Sequence, residues 1–292
     1  MIAIARRDLA LLVGINWLWG LNLVVSKSAL TEIPPTLYTL LRFVVMGLLL
    51  VPWLRPHRGQ MSALVVAALL AGALNFALSF AGLELASSVS SVAVASQLSI
   101  PFTTLLSVAL LDEIVRWRRW CGIVLSFAGV LVMGFDPQVS TRWQSLALVT
   151  ASSFVGALGI IAVKRLHGVR PLELQAWFAW AGIPVLTGMA LLTERPAFAT
   201  LPHASLTAWG ALAYTVFASS LVAHTGYFHL IRRYPVSSVA PLTVLSPLFS
   251  VCSGAVLLGE RLTTRIVTGG LCTLAGVLII TLRERRIPDT GM

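Results

Sequence analysis

The amino-acid sequence predicts an all-α protein that crosses a membrane ten times. The chain of 292 residues is 57% hydrophobic and 11% charged, with a mean hydropathy of +0.88. A soluble domain carries about a quarter charged residues. Apolar runs of roughly 20 residues, the length that crosses a bilayer, recur from end to end. These runs are continuous and do not alternate with polar residues, which excludes a β-barrel.

The predicted spans lie between short breaks that contain residues unfavourable for a helix or for lipid. The first break, for example, contains the adjacent prolines Pro34 and Pro35. The spans are residues 9–29, 35–54, 62–84, 88–111, 117–135, 144–165, 172–192, 206–231, 236–258 and 265–282.

Lys and Arg are distributed unevenly between the two sets of loops. One set carries Arg6, Arg7, Arg55, Arg58, Arg116, Arg118, Arg119, Lys164, Arg165, Arg170, Arg232, Arg233, Arg283, Arg285 and Arg286. The opposite set carries Arg142, Arg195, Arg261 and Arg265. Because cytoplasmic loops carry the excess, we expect a multi-pass protein of the bacterial inner membrane with both termini in the cytoplasm. The net charge of +10 then indicates a membrane surface as partner, and no nucleic acid.

The chain contains two copies of one unit. The segment VSSVA at residues 89–93 recurs at 236–240, and in the same register Glu113 matches Glu260. Residues 11–27 likewise align with 148–164. Five spans per copy force the second copy to enter the membrane inverted, as in many secondary transporters. The sequence therefore predicts two inverted domains, residues 1–136 and 137–292, with a substrate path between them.

Several short motifs stand in a characteristic order along the chain. They are WGLNLVVSK at 19–27, the proline pair at 34–35, Arg42-Phe43, RYPVSSVAP at 233–241 and LLGERL at 257–262. In this order the chain resembles the EamA-type transporters of the drug/metabolite transporter superfamily. The resemblance implies two five-helix EamA repeats around a central cavity that opens alternately to each side. It also implies export of an amino acid or a related metabolite.

Polar and aromatic side chains at helical spacing predict a wet cavity, because polar groups that face lipid are costly. The candidate substrate-binding residues are Asn16, Trp17, Arg42, Asn75, Ser79, Gln97, Trp177, Trp180, Tyr214, His224, Tyr227 and Thr243. Hydrogen bonding between helices and core packing are the alternative roles. Pro101 and Pro247 interrupt equivalent spans and predict kinks at which a gate could bend.

Four charged positions each leave two roles open. Lys27 or Arg42 could meet a substrate carboxylate, because ionisable residues inside spans suggest function. Alternatively, Lys27 reaches the membrane interface, and Arg42 binds helix-end carbonyls or Glu32. Glu113 and Glu260 end equivalent helices and predict helix caps or ion pairs.

Motifs of other function classes are missing. The sequence contains no P-loop, no G-x-S-x-G and no H-E-x-x-H motif. We therefore predict no enzyme activity, no ATPase partner, no cofactor and no metal site. The predicted partners are a small-molecule substrate and the lipid bilayer, and no oligomeric state is assigned. The alternatives are uptake, efflux of another solute such as a drug-like cation, or a membrane-embedded enzyme.

Overall fold

The computed structural model describes residues 5–112, 114–234 and 239–282, which form helices joined by short loops and contain no strand. The longer helices are α1 (Arg6–Ala29), α2 (Pro35–Leu50), α3 (Met61–Leu85), α4 (Val89–Leu111), α5 (Trp117–Gly134), α6 (Trp143–Lys164), α7 (Pro171–Thr193), α8 (Leu206–Tyr214, Thr215–Ala223 and His224–Arg233 in succession), α9 (Ala240–Val244 and Leu245–Leu257) and α10 (Thr264–Thr281). Single helical turns Pro137–Ser140 and Ala197–Thr200 lie in loops.

Most of the described helices are long and apolar enough to cross a membrane. Eight meet this criterion, namely α1, α2 extended to Trp53, α3, α4, α6, α7, α8 to Tyr227, and α10. The apolar part of α9, Leu242–Leu257, is shorter, and α5 carries Arg118 and Arg119 in its first turn. The prediction of a helical membrane protein is thus confirmed at the level of eight candidate spans. The count of ten remains a prediction.

The loops form two groups, and hydrogen bonds connect the loops within each group. Residues 30–34, 86–88, 135–142, 194–205 and 258–263 form one group, here called the outer end after the predicted orientation. Residues 55–60, 112, 114–116 and 165–170 belong to the inner end, where Gln60 bonds His167 and Arg165 bonds Leu110. Glu113, Arg283, Arg285 and Arg286 lie outside the described residues.

Glycines allow α5 and α10 to pack in close contact. A Cβ atom added to Gly122 of α5 would lie 2.7 Å from the carbonyl oxygen of Gly276 in α10. Between these glycines, the Ser126 and Thr273 side chains are fully buried. Any side chain at Gly122 would push the two backbones apart, so this contact requires glycine.

Corresponding helices of the two predicted repeats depart from α-helical geometry. The π-helical segments are Leu69–Leu74 in α3 and Thr215–Ala223 in α8. The 3₁₀ segments are Ser96–Leu98 in α4 and Ala240–Val244 in α9. Each 3₁₀ segment ends three residues before a proline, Pro101 or Pro247, whose missing N–H removes a helical hydrogen bond. The prolines therefore coincide with irregular backbone, and their role in gating stays a prediction.

Candidate functional site

A cavity of about 400 Å³ lies between α2 and α3 of the first half and α6, α7 and α8 of the second. Most of its wall is apolar and includes Phe43, Phe76 and Phe178. Its polar side chains are Arg42, Asn75, Gln175, Ser220 and His224. The cavity reaches Pro171, the first residue of α7, and therefore extends towards the inner end.

Arg42 supplies a positive charge to this cavity from deep inside the protein. The residue is 4% exposed, and its Nη2 donates to Ser220 Oγ at 3.0 Å. Its guanidinium carbon lies 4.0 Å from the centroid of the Phe76 ring. Nε and Nη1 have no hydrogen-bond partner in the described part of the chain. These two nitrogen atoms can donate to an anionic ligand. Such a ligand would remove the free-energy cost of burying N–H groups without acceptors.

The alternative partners predicted for Arg42 are engaged elsewhere. Glu32 accepts hydrogen bonds from the hydroxyl and the backbone N–H of Ser205, at 2.6 and 2.7 Å. These bonds lower the pKa of Glu32 below its ordinary value of 4.5. The helix-end carbonyls are bound by Lys27, whose Nζ donates to Leu83, Glu84 and Ala86 at 2.8, 2.8 and 2.9 Å. All three ammonium hydrogens are thereby used, which indicates a structural role for Lys27.

His224 lies at the end of the π-helical segment of α8, where the irregular backbone exposes carbonyl groups. Its Nδ1 is 2.9 Å from the carbonyl oxygen of Ser219, which also accepts from Trp19 Nε1 at 3.2 Å. The rings of Trp19 and His224 meet edge to face, with centroids 5.1 Å apart. Because π-helical turns leave i→i−4 carbonyls available, this segment can hold His224 at the cavity wall.

Asn75 occupies the matching place in the first half, directly after the π-helical segment of α3. Its Oδ1 accepts from Ser152 Oγ at 2.7 Å, which ties α3 to α6. A Cβ atom at Gly156 would lie 2.7 Å from Asn75 Nδ2. The amide thus fits against a glycine and is fixed by a neighbouring helix.

Three of the twelve candidate residues therefore line this cavity, namely Arg42, Asn75 and His224. Several others bond to backbone carbonyls: Asn16 to Leu12, Trp177 to Arg55, Trp180 to Gly47 and Tyr214 to Leu18. Trp17 is 48% exposed on the surface of α1. Tyr227 contacts the Trp19 ring at a centroid distance of 5.4 Å. The remaining candidates, Ser79, Gln97 and Thr243, and the prolines Pro101 and Pro247 are not among the residues that line it.

Sequence reasoning missed one polar side chain of the wall, Gln175, and most of its apolar lining. Gln175 Oε1 is buried and has no hydrogen-bond partner among the described residues. Phe76 and Phe178 look like ordinary membrane residues in the sequence. A glutamine in the first turns of a predicted span could have marked Gln175, since amides avoid lipid.

Three carboxylates at the outer end each cap a helix that belongs to the opposite half. Glu260 accepts from Ser88 Oγ at 3.0 Å, from Ser90 Oγ at 2.6 Å, and from the backbone N–H groups of Val89 and Ser90 at the start of α4. Glu194 accepts from the N–H groups of Thr36 and Leu37 in α2, at 3.0 and 2.7 Å. Glu32 binds Ser205, the N-cap of α8. We call these three contacts the outer clamp.

The outer clamp combines a charge effect with a hydrogen-bonding effect. Helix N-termini expose unpaired N–H groups and the positive end of the helix dipole, and both favour a carboxylate. Each contact joins the two predicted halves at the outer end, whereas the cavity extends towards Pro171 at the inner end. The sequence predicts a helix cap or an ion pair for Glu260. The structure shows the cap, at the start of α4.

This chain is similar to known proteins over most of its length. The profile of the EamA-like transporter family matches residues 8–135 and again 142–282. A probable amino-acid metabolite efflux pump of Salmonella typhimurium is 30% identical over 290 residues, covering 94% of this chain and 95% of that protein. A protein of the same description from Escherichia coli is 30% identical over 302 residues, covering 98% and 99%.

A solved structure shares the fold, with a TM-score of 0.63 over 98% of this chain and 100% of that one, at 17% identity. The descriptions of the family and of both relatives name transporters or efflux pumps, not enzymes. The chain belongs to the EamA-like transporter family and is a membrane transporter of small molecules.

Proposed function

We propose that this transporter exports an amino acid or amino-acid derivative across the bacterial inner membrane by alternating access. One observation carries the proposal: a buried guanidinium, two of whose nitrogen atoms have no hydrogen-bond partner among the described residues, lines the cavity between the halves. Arginine is well suited to carboxylates because its planar fork donates two parallel hydrogen bonds. A carboxylate is the group that all amino acids and most of their metabolites share.

The shape of the cavity supports export. It reaches the inner end at Pro171, while the outer clamp joins the halves on the other side. In the proposed cycle, a solute from the cytoplasm would enter from the inner end and meet Arg42 in this cavity. Release to the outside would require the outer clamp to open and the inner end to close, with the irregular segments of α3, α4, α8 and α9 as natural places for bending.

The alternatives are weaker on physical grounds. A drug-like cation would meet the positive charge of Arg42, and within the described part of the chain no Asp or Glu lines the cavity. The relatives described as amino-acid metabolite efflux pumps favour outward transport over uptake.

We further propose ten spans, in which α5 and α9 also cross the membrane, and two inverted repeats at residues 1–136 and 137–292. The irregular segments support this arrangement because they occur in the third and fourth helices of each half. Close packing of α5 on α10 also supports a crossing by α5. Ten spans would return the chain to the side on which it began.

Fusions at the C-terminus test this topology. Green fluorescent protein attached after residue 292 is expected to fluoresce, and alkaline phosphatase at the same place is expected to be inactive. Phosphatase inserted in the outer-end loop at residues 137–142 should be active. An active phosphatase at the C-terminus would contradict both the ten spans and the cytoplasmic termini.

Transport itself is tested in a bacterial host whose own exporters of this type are deleted. Expression of the chain should raise the tolerance of the host to an excess of its substrate, and should speed release of that substrate from preloaded cells. The screen covers amino acids and their derivatives, with organic cations as the contrast. Increased sensitivity would indicate uptake, and selective tolerance to cations would refute the proposed substrate class.

A further inference from the structure

The electrostatics of the cavity are unusual for a site that takes a zwitterion. Arg42 and His224 are the ionisable residues of the lining in the described part of the chain, and the lining includes no carboxylate. The nearest described partners of the guanidinium are a hydroxyl and an aromatic ring. Among the described lining residues, no carboxylate therefore offsets the positive charge of Arg42, which lies in a region of low polarity where such a charge is costly.

The carboxylate of a zwitterionic amino acid would neutralise Arg42, but its ammonium group would bring a second positive charge into the cavity. Its carboxylate would pair with Nε and Nη1, but its ammonium group would stand within a few ångströms of the guanidinium. Like charges at this separation repel strongly in a medium of low polarity. A ligand that carries the carboxylate alone makes the complex electrically neutral.

The neighbouring polar side chains are neutral and do not offset the positive charge of Arg42. Ser220 Oγ already accepts from Arg42 and donates to the carbonyl oxygen of Thr215 at 2.6 Å. Asn75 Oδ1 already accepts from Ser152. Gln175 Oε1 has no donor in the part of the chain that the structure describes. It suits a neutral N–H or O–H group, because an amide oxygen accepts a hydrogen bond without neutralising a charge.

The rest of the wall favours an apolar body. Phe43, Met46, Phe76, Ile160, Leu174 and Phe178 line the cavity together with Arg42. Burial of an apolar group against such side chains is favourable, whereas a charged group there would lose its hydration. The site thus offers one anion position, one neutral acceptor and an apolar wall.

We propose that the cavity selects monocarboxylates with an apolar body in which the α-amine is acylated or absent, over the parent zwitterions. N-acyl derivatives of leucine or phenylalanine are representatives of this class. The inference rests on the proposed function, because it assumes that the Arg42 cavity carries the exported solute.

Counterflow into liposomes that contain the purified full-length chain tests this selectivity. The probe is radiolabelled N-acetyl-leucine, and the competitors are unlabelled N-acetyl-leucine, 4-methylpentanoate, leucine and leucinamide. These compounds share one side chain and differ in charge at the amine and the carboxyl group. We expect the two monoanions to compete at concentrations at least tenfold lower than leucine, and leucinamide not to compete.

Variants separate this inference from the proposed function. Arg42→Gln should remove uptake of N-acetyl-leucine, and the exposed Arg58→Gln should leave it unchanged. Leucine that is carried as well as N-acetyl-leucine, in an Arg42-dependent way, would overturn the selectivity and leave the proposed function intact. Counterflow of carboxylates that is insensitive to Arg42 would overturn both. If neither monoanion shows counterflow, the proposed selectivity is also overturned. The efflux screen then still tests export.

Discussion

Replacing Arg42 by glutamine is expected to reduce export at least about tenfold, because hydrogen bonds to charged groups contribute about 1.5–3 kcal/mol each. Glutamine keeps a polar side chain but loses the charge and the forked donors. Arg42→Lys should fall between glutamine and the original residue, since an ammonium pairs with a carboxylate without bidentate geometry. The measurement is the initial rate of efflux from preloaded cells, normalised to the amount of transporter in the membrane.

Protein stability provides an independent measure of the role of Arg42. A residue that holds the fold together would lower the melting temperature when replaced. The guanidinium of Arg42, in contrast, is nearly fully buried, and two of its nitrogen atoms have no acceptor in residues 5–112, 114–234 and 239–282. Removing a buried charge without a counter-ion relieves its desolvation cost. We therefore expect Arg42→Gln to retain or raise the melting temperature in detergent while export is lost. Full export by this variant would rule out the proposed carboxylate site.

Replacing Glu260 by alanine is expected to destabilise the protein by about 2–4 kcal/mol, the combined effect of a lost helix cap and lost charge-assisted hydrogen bonds. The start of α4 would lose the acceptor of its first N–H groups and of two serine hydroxyls. Glu260→Gln should have a smaller effect, because one amide oxygen can still accept. Thermal unfolding of the purified protein in detergent measures both changes.

A neighbouring carboxylate provides the control for Glu260. Glu84 lies exposed at the outer end of α3, and its substitution Glu84→Gln changes the same formal charge. This variant should melt close to the unmodified protein. An equal loss of stability in Glu84→Gln and Glu260→Ala would show that surface charge, and not the cap on α4, determines the effect.

The outer clamp also connects stability to transport. Glu260, Glu194 and Glu32 join the halves at the outer end, which must separate when a substrate leaves outwards. Weakening one contact should therefore shift the population towards a state that is open to the outside. The same variants can thus be used to examine both folding and the transport cycle.

The sequence by itself determined the class of protein, the positions of most helices and the presence of a repeat. Composition and run length are sufficient for the helices, because in lipid every backbone group must be satisfied within its own segment. The predicted spans 9–29, 35–54 and 172–192 accordingly overlap α1, α2 and α7. Ionisable and amide side chains within spans also drew attention to Arg42, Asn75 and His224.

Only the tertiary structure decided which polar side chains come together in the cavity. Helical periodicity gives the face of one helix, but not the rotation of that face relative to its neighbours. Asn16, for example, lies on a plausible polar face of α1, yet it bonds to the carbonyl oxygen of Leu12 in its own helix. The π-helical segments of α3 and α8 change the rotation further, because an i→i+5 turn displaces all later side chains around the helix axis.

The same limit applies to Glu260 and Gln175. The sequence indicates a cap or an ion pair at Glu260, but the capped helix lies about 170 residues earlier in the chain. Gln175 becomes notable only in the folded structure, where its oxygen is buried at the cavity and has no partner among the residues described. Contacts between residues so distant in the chain depend on how complete helices pack, and local sequence patterns do not contain that information.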